Sequence, residues 1–286
     1  MIGNILKSVI FGIIEGITEW LPISSTGHLI LAKQFLKFTN VSANFWDVFE
    51  VVIQLGAILA VVVLYFKNIW PFKIEKEKHG SGSKFKCDKS IFDLWAKIIV
   101  SCLPAVAIVA LKIDDYAEAH FYNPICISIM LILVGILFII IENKNEKNGK
   151  KARVNSISEL TFKDAIIIGL FQVIAAIFPG TSRSGATIIG ALLIGVSRIV
   201  SAEYTFYLAI PAMLGASVLK IAKHGLGSSS AELMILAIGT IVAFAVSMFI
   251  IKFLMNYIKK HDFKVFGWYR IALGILVIVL SLVNVI

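Results

Sequence analysis

Long apolar runs separated by short polar stretches extend along the whole chain. Six of these runs lie at about residues 46–66, 91–111, 121–141, 204–222, 232–252 and 265–286. Each is close to the length of about 17–25 residues that an α-helix needs to cross a bilayer. The pattern predicts an all-α polytopic membrane protein, a single integral membrane domain over residues 1–286 with about six transmembrane helices.

Two further apolar regions are interrupted by polar residues. Residues 1–38 contain the stretch LPISSTGH, and residues 162–196 contain FPGTSRSG. Each region would form a helix, a break rich in Pro, Gly and hydroxyl side chains, and a second short helix. Non-helical backbone at membrane depth is tolerated only where it is buried in protein or lines a watery cavity. We therefore predict two re-entrant helix–turn–helix segments.

The two interrupted regions also align with each other. Residues 157 positions apart share the pattern of an apolar leg, a proline and a hydroxyl-rich turn, and the alignment pairs Glu15 with Gln172, Pro22 with Pro179 and Ser25 with Ser182. The alignment therefore predicts two repeats, one over about residues 1–142 and the other over about residues 160–286.

The distribution of charge gives the topology and argues against nucleic acid as a partner. The net charge is +9, but 17 of the 27 Lys and Arg residues lie in three polar stretches, at residues 67–89, 144–163 and 252–264. Only 16% of residues are charged and 58% are hydrophobic, whereas soluble domains carry about 25% charged residues. Basic residues cluster in cytoplasmic loops of membrane proteins, so we expect these three loops to be cytoplasmic.

This orientation predicts an inverted-topology repeat. If each interrupted region returns to the side from which it came, both termini lie outside, as does the acidic connection at residues 112–120 with Asp114, Asp115 and Glu118. The second interrupted region then enters the membrane from the side opposite to the first. The two breaks would meet near the middle of the bilayer, as in transporters built from inverted repeats.

Glu15 and Glu19 are the candidate metal ligands. They are four residues apart, so they share one face of a helix. A charge at the centre of a membrane helix costs about 2.5–3.5 kcal/mol, and two carboxylates on one face repel each other unless a cation lies between them. Mg²⁺ or Ca²⁺, which prefer oxygen ligands, would suit this place. The alternative is that both acids face an outer vestibule and only make it polar.

The first break supplies further candidates within five residues, namely Ser24, Ser25, Thr26 and His28. Hydroxyl groups and free backbone N–H groups at a helix N-terminus bind anions. His28 could act as a general base or as a nucleophile, although a lone histidine is more often structural.

The second break contains Arg183 among hydroxyl side chains, which are Thr181, Ser182, Ser184 and Thr187. A planar guanidinium matches the oxygens of a phosphate group, so Arg183 predicts a pyrophosphate partner. The alternative is an ion pair with Glu19 or Glu203. We interpret Arg198 and Arg270, by contrast, as anchors near the membrane interfaces.

Two acids, a histidine, hydroxyl groups and an arginine within a membrane predict phosphoryl transfer on a lipid phosphate. A polyprenyl-phosphate transporter or flippase is the alternative, because broken helices in inverted repeats are typical of transporters. The acid pair favours the enzyme, since carboxylates hinder phosphate binding unless they hold a metal or exchange protons. A lipid phosphatase of another family, with an SGH-type turn, is disfavoured because no His and Asp follow Arg183 at the required distance.

The quoted stretches together resemble the undecaprenyl-diphosphatases of bacteria, the bacitracin-resistance family, along essentially the whole chain. The resemblance is in EGITEWLPISSTGHL, FEVVIQLGAILAVV, PGTSRSGATI and GVSR followed by SAEYTFYLAIP. It implies hydrolysis of undecaprenyl diphosphate to the monophosphate and inorganic phosphate, which recycles a lipid carrier of cell-wall synthesis in the inner membrane and confers bacitracin resistance.

The resemblance also implies roles for individual residues. Glu15 and Glu19 match the acidic pair assigned to a divalent metal and the substrate, His28 an essential histidine, Ser25 a serine near the attack on phosphorus, and Arg183 the arginine that holds the pyrophosphate. The attacking group stays open between His28, Ser25 and water. The expected partners are the polyprenyl diphosphate and membrane lipids, and a homodimer is left open.

Overall fold

The computed structural model describes residues 1–76, 83–147, 152–226 and 229–283. Nearly all of these residues are helical. The α-helices are α1 (Ile2–Thr18), α2 (Ser25–Phe35), α3 (Phe45–Leu64), α4 (Phe66–Ile69), α5 (Lys89–Ala110), α6 (Ile113–Phe121), α7 (Pro124–Lys147), α8 (Phe162–Ile177), α9 (Arg183–Leu193), α10 (Arg198–His224), α11 (Ser230–Tyr257) and α12 (Lys264–Leu282). A 3₁₀ turn at Ile157–Glu159 precedes α8.

The six predicted membrane spans are confirmed as helices. Within the described residues, α3, α5, α7, α10, α11 and α12 are long and apolar enough to cross a bilayer. The longest extensions beyond the predicted ends, six residues each, are in α7 and α10. Helix α7 continues through Lys147, and α10 begins at Arg198 because the side chain of Ser197 accepts a hydrogen bond from the backbone N–H of Val200. Such an N-terminal cap replaces one of the bonds that the first helical turn lacks.

Both interrupted regions form two helices separated by a break, as the sequence predicts. The first is α1 and α2, and the second is α8 and α9. In each, a serine with a left-handed backbone precedes the second helix, Ser24 with φ 73° and Ser182 with φ 68°. This conformation is uncommon outside glycine. The sequence alignment paired Ser25 with Ser182, which is wrong by one residue, because the second break has one more residue between its proline and this serine.

Small residues let the first legs of the interrupted regions pack closely on long helices. Helix α1 packs against α11, and a Cβ atom added to Gly12 would lie 2.6 Å from the carbonyl oxygen of Gly239. Helix α8 packs against α5 in the same way, where a Cβ atom on Gly169 would lie 2.4 Å from the carbonyl oxygen of Ser101. Membrane helices pack through small residues because lipid provides no hydrophobic drive for their association.

The remaining long helices enclose these pairs. Helix α3 packs against α10 and α11, and α12 packs against α7. The second helix of each interrupted region, α2 in the first and α9 in the second, is short, and both contact α7. The arrangement brings the two breaks to the same part of the molecule.

The first basic loop contains a β-hairpin, so the all-α prediction is corrected there. Strand β1 (Phe72–Lys76) pairs antiparallel with strand β2 (Ser83–Cys87). The stretches FKIEK and SKFKC alternate apolar and polar residues, which is the pattern of a strand. The register pairs Phe72 with Cys87 and Ile74 with Phe85, so apolar positions stand opposite each other. Parts of the first and second basic loops, residues 77–82 and 148–151, lie outside the described residues.

Candidate active site

Glu19 joins the two breaks through its carboxylate. It directly follows α1, and its Oε1 accepts a hydrogen bond from Arg183 Nη2 at 2.9 Å. Its Oε2 accepts a hydrogen bond from Ser25 Oγ at 2.8 Å. Ser25 and Arg183 are the first residues of α2 and α9, so one carboxylate connects the N-termini of both second legs. The ion pair with Glu19 that the sequence left as an alternative is therefore present.

Glu203, the other acid considered as a partner of Arg183, has a different contact. It accepts a hydrogen bond from Tyr207 Oη on the next turn of its own helix. Arg183 instead donates from Nη1 to the carbonyl oxygen of Thr205 at 3.1 Å. Its Nε is buried and has no hydrogen-bond partner among the described residues. Hydrogen bonds to Glu19 and Thr205 thus use two of the five N–H groups of the guanidinium.

A cavity of about 280 Å³ lies at this junction. Five of the predicted site residues line it, and they are Glu19, Ser25, Thr26, Ser182 and Arg183. The N-termini of α2 and α9 both reach this cavity through these residues. Helix N-termini present unpaired N–H groups and the positive end of the helix dipole, so the lining favours an anion with several oxygens.

The other hydroxyl residues of the breaks lie behind the cavity wall. Ser184 Oγ donates to the carbonyl oxygen of Glu19 at 3.2 Å, and Thr187 Oγ1 donates to the carbonyl oxygen of Arg183 at 2.9 Å. Ser24 and Thr181 are buried, and their hydroxyl oxygens have no partner in the part of the chain that the structure describes. The structure thus gives Ser184 and Thr187 contacts that shape the second break, and the direct substrate contact expected for these four residues stays a prediction.

His28 lies beside the cavity and outside its lining. Its Nδ1 is 2.7 Å from the carbonyl oxygen of Ser24, and its Nε2 is 2.7 Å from Tyr269 Oη. Because a carbonyl oxygen only accepts hydrogen bonds, Nδ1 carries the proton and Nε2 of the neutral ring accepts from Tyr269. The imidazole also stacks on the tyrosine ring with centroids 5.6 Å apart. The only unprotonated nitrogen of His28 is therefore already bonded.

Glu15 is the candidate metal ligand that has no protein partner. Its side chain is fully buried, and neither carboxylate oxygen has a hydrogen-bond partner among the described residues. Gln172, which the alignment pairs with Glu15, is also buried with an unpartnered Oε1. The described residues contain no group of three or more His, Cys, Asp and Glu side chains that could hold a metal ion. Glu15 does not line the cavity, although one or two carboxylates are enough to hold Mg²⁺ when substrate phosphates complete its coordination.

The cavity has further lining residues that the sequence did not indicate. They come from α3, α6 and its end, α8, α10 and the second break, and the polar ones are Gln54, Asp114 and Tyr122. Asp114 Oδ1 is buried without a partner among the described residues. The sequence placed Asp114 only in an acidic outer connection. It reaches the cavity because α6 folds over the breaks, where Phe121 packs on Phe178 with ring centroids 5.1 Å apart.

Arg270 is not an interface anchor, and that interpretation is corrected; for Arg198 the interpretation stays a prediction. Arg198 forms a two-pronged ion pair with the buried carboxylate of Glu142, with contacts of 2.9, 3.1 and 2.6 Å. Arg270 is fully buried. For Arg270, sequence position near a helix end misled the interpretation, because its side chain points into the helix bundle, where carbonyl oxygens accept its hydrogen bonds.

A second, larger cavity of about 1040 Å³ lies where the end of α7 meets the α9–α10 and α11–α12 connections. None of the predicted site residues line it. Its charged residues include both signs, and the pair Arg198–Glu142 neutralises itself. The smaller cavity is the candidate active site, because the acid, hydroxyl and guanidinium groups of both breaks converge there.

The fold and this junction define a class of protein, a polytopic helical membrane protein with a polar cavity where the breaks of two interrupted helices meet. The family model described as bacitracin resistance protein BacA matches residues 8–276. The chain belongs to this family.

Three similar proteins of other bacteria are named as undecaprenyl-diphosphatases. An undecaprenyl-diphosphatase of Enterococcus faecalis is 57% identical over 97% of this chain and 97% of its own length. Undecaprenyl-diphosphatase 1 of Clostridium acetobutylicum is 58% identical over 98% of both chains. An undecaprenyl-diphosphatase of Desulfitobacterium hafniense is 58% identical over 96% of this chain and 95% of its own length.

Proposed function

We propose that the protein hydrolyses undecaprenyl diphosphate to undecaprenyl phosphate and inorganic phosphate. The observation that supports this most directly is the carboxylate of Glu19, which joins Ser25 and Arg183 at a cavity between two helix N-termini. The names of relatives more than 50% identical over nearly the full length supply the substrate. The reaction would recycle a lipid carrier of cell-wall synthesis, and the family description associates it with bacitracin resistance.

The geometry favours Ser25 as the attacking group. A nucleophile and its base lie within hydrogen-bond reach in enzymes that form covalent intermediates, and Ser25 Oγ lies 2.8 Å from Glu19 Oε2. Glu19 takes the hydroxyl proton as Oγ bonds to the terminal phosphorus. The bond from that phosphorus to the bridging oxygen breaks, and undecaprenyl phosphate leaves. Water then attacks the phosphoserine, Glu19 returns a proton to Ser25, and inorganic phosphate is released. His28 and a directly attacking water are the alternatives.

Arg183 and the two helix N-termini would hold the diphosphate oxygens during this transfer. Arg183 lines the cavity, and its guanidinium would supply a donor, while the positive ends of α2 and α9 would face the charge that develops in the transition state. A divalent cation, Mg²⁺ or Ca²⁺, would be held by Glu15, with Glu19 on the same helix face, and would neutralise negative charge on the substrate. Thr26 and Ser182 line the cavity and would contact the phosphate oxygens.

Phosphate release from a polyprenyl diphosphate tests the proposal. Detergent-purified protein is assayed with and without a chelator beside Glu19→Gln and Arg183→Ala. We expect metal-dependent release that falls by about 10³-fold or more in Arg183→Ala, the scale of losing an arginine that stabilises a phosphoryl-transfer transition state. No release from the wild-type protein, with lipid binding intact, would overturn the proposal and favour a transporter or flippase. Phosphate release that persists in the presence of the chelator would overturn only the proposed role of a divalent metal.

We also propose that the chain is an inverted-topology repeat with two re-entrant segments, its halves over about residues 1–142 and 160–286. The matched left-handed serines, Ser24 and Ser182, support this. So do the buried, unpartnered side chains of Glu15 and Gln172 at aligned positions. In the bacterial inner membrane, the basic loops would be cytoplasmic and the two termini outside.

A further inference from the structure

Arg270 on α12 contacts both breaks at once from inside the protein. Its Nη2 donates to the carbonyl oxygens of Gly180 at 2.7 Å and Thr181 at 2.9 Å, and its Nη1 donates to that of Pro22 at 3.2 Å. Its Nε donates to the carbonyl oxygen of Leu131 on α7 at 3.4 Å. The side chain is fully buried, and the described residues include no acid that pairs with it.

A buried guanidinium without a counter-ion is costly, so the acceptors around Arg270 must compensate for it. The breaks can do this because their carbonyl oxygens lack the acceptor role that they would have inside a helix. Arg270 therefore satisfies the carbonyl oxygens of both breaks, and both breaks satisfy Arg270. The contact fixes one break relative to the other.

This contact also sets the direction of a peptide group at the cavity. In a trans peptide the C=O and N–H bonds point to opposite sides. The carbonyl oxygen of Thr181 accepts from Arg270, so the N–H of Ser182 points away from Arg270. That N–H makes no hydrogen bond among the described residues, and Ser182 lines the cavity. Arg270 thus leaves an unpaired amide donor on the opposite side of this peptide group, in a residue that lines the cavity.

We infer that Arg270 is a positioning residue for anion binding. It does not line the cavity, and each of its nitrogens donates to a backbone carbonyl oxygen. It acts by holding the two breaks so that Ser182 N–H, Ser25 and Arg183 meet the same phosphate groups. The inference takes the identity of the substrate from the proposed function. The part that concerns anion binding in general rests on the geometry alone.

The test compares Arg270→Lys and Arg270→Met with the control variants Arg198→Lys and Arg198→Met. Each protein, purified in detergent, is measured for its melting temperature, for kcat and KM with a polyprenyl diphosphate, and for inhibition by inorganic pyrophosphate. Arg198 lines the larger cavity instead and pairs with the buried carboxylate of Glu142, so its variants report how losing an arginine contact to a buried group affects the fold.

We expect both Arg270 variants to lower kcat by about 10²-fold, as the loss of aligned donors does, and to weaken pyrophosphate inhibition about tenfold or more, the equivalent of one or two lost hydrogen bonds. Lysine keeps the charge but cannot reach several carbonyl oxygens in one plane, so it should not rescue the activity. The Arg198 variants should melt earlier but keep the wild-type inhibition constant. Wild-type pyrophosphate inhibition in folded Arg270→Lys would overturn the inference.

Gly185→Ala provides a variant that retains Arg270. A Cβ atom at Gly185 would lie 3.3 Å from Arg270 Nη1, which is close enough to displace the guanidinium slightly. If neither Arg270 variant folds, unchanged pyrophosphate inhibition in Gly185→Ala overturns the inference, and weakened inhibition supports it. If the wild-type protein binds pyrophosphate but releases no phosphate from the polyprenyl diphosphate, the proposed hydrolysis is overturned and the inference about Arg270 is not.

Discussion

Glu19 accepts one hydrogen bond on each carboxylate oxygen, and each donor begins a different helix. Arg183 also contacts the carbonyl oxygen of Thr205. A lysine in place of Arg183 keeps the charge but has neither the planar fork nor the unpartnered Nε. We therefore expect Arg183→Lys to lower kcat by about 10²-fold while the protein still folds. Steady-state kinetics beside a melting curve measures both quantities, and near-normal kcat would show that charge alone suffices.

The attacking group can be identified with two hydroxyl deletions. Ser25 Oγ lies in the cavity beside a carboxylate, whereas Tyr269 Oη contacts His28 outside the cavity lining. If Ser25 attacks phosphorus, Ser25→Ala should lose activity by about 10²-fold or more, and Tyr269→Phe should stay within about tenfold of the wild type. Protein quenched in denaturant at neutral pH, where phosphoserine and phosphohistidine both survive, should carry phosphate on Ser25. Phosphate on His28, or a larger loss in Tyr269→Phe, would favour the histidine.

The sequence indicated those residues of the candidate site that stand in unusual places and did not indicate those in ordinary ones. Glu15, Glu19 and Arg183 are conspicuous because charged residues are expensive inside apolar segments. Asp114 is an acid in a polar connection, and Arg270 stands near one end of its helix, so neither position looked exceptional. Their roles depend on which segments meet in three dimensions, which residue type and spacing do not reveal.

Helix contacts at glycine determine how closely the long helices pack. A Cβ atom at Gly56 on α3 would lie 2.2 Å from the carbonyl oxygen of Thr240 on α11, whereas a Cβ atom at Gly215 on α10 meets nothing within 4 Å. Gly56→Ala must push the two helices apart, and we expect a loss of stability of about 1–3 kcal/mol. Gly215→Ala should be neutral or gain up to about 1 kcal/mol from helix propensity.

Melting temperatures of the two alanine variants in the same detergent check this expectation. The substitutions are chemically identical and both are within long helices, so the difference between them isolates the helix contact. Equal melting temperatures would mean that α3 and α11 are less closely packed than the structure shows.

The sequence predicted which helices are present more accurately than it predicted the correspondence of the two breaks and the structure of the loops. Apolar length predicted the six long helices, and the polar interruptions predicted both helix–break–helix regions. The alignment of the two breaks was displaced by one residue, because backbone conformation at Ser24 and Ser182 decides which residues correspond. The hairpin in the first basic loop was missed because its Lys-rich composition was taken as a topology signal, although its apolar residues alternate.

At the scale of the whole molecule, the convergence of both breaks on one carboxylate depends on two segments more than 150 residues apart, as Glu19 and Arg183 are 164 positions apart. An inverted repeat accounts for this meeting of the breaks. The two halves of the chain would be related by an axis in the membrane plane, which exchanges the two faces of the membrane. That symmetry requires the first and second interrupted regions to enter from opposite faces. The side of each loop is therefore a direct test of the repeat.

Cysteine labelling in intact cells measures these sides. Cys87 is exposed in the first basic loop, and Asp115 is exposed on α6. One variant keeps Cys87 and carries Cys102→Ala and Cys126→Ala; the other replaces all three cysteines with alanine and adds Asp115→Cys. If the basic loops are cytoplasmic, a membrane-impermeant maleimide should label the Asp115→Cys protein in intact cells and Cys87 only after permeabilisation. Labelling in the reverse order would invert the orientation, and labelling of both in intact cells would contradict the number of spans between them.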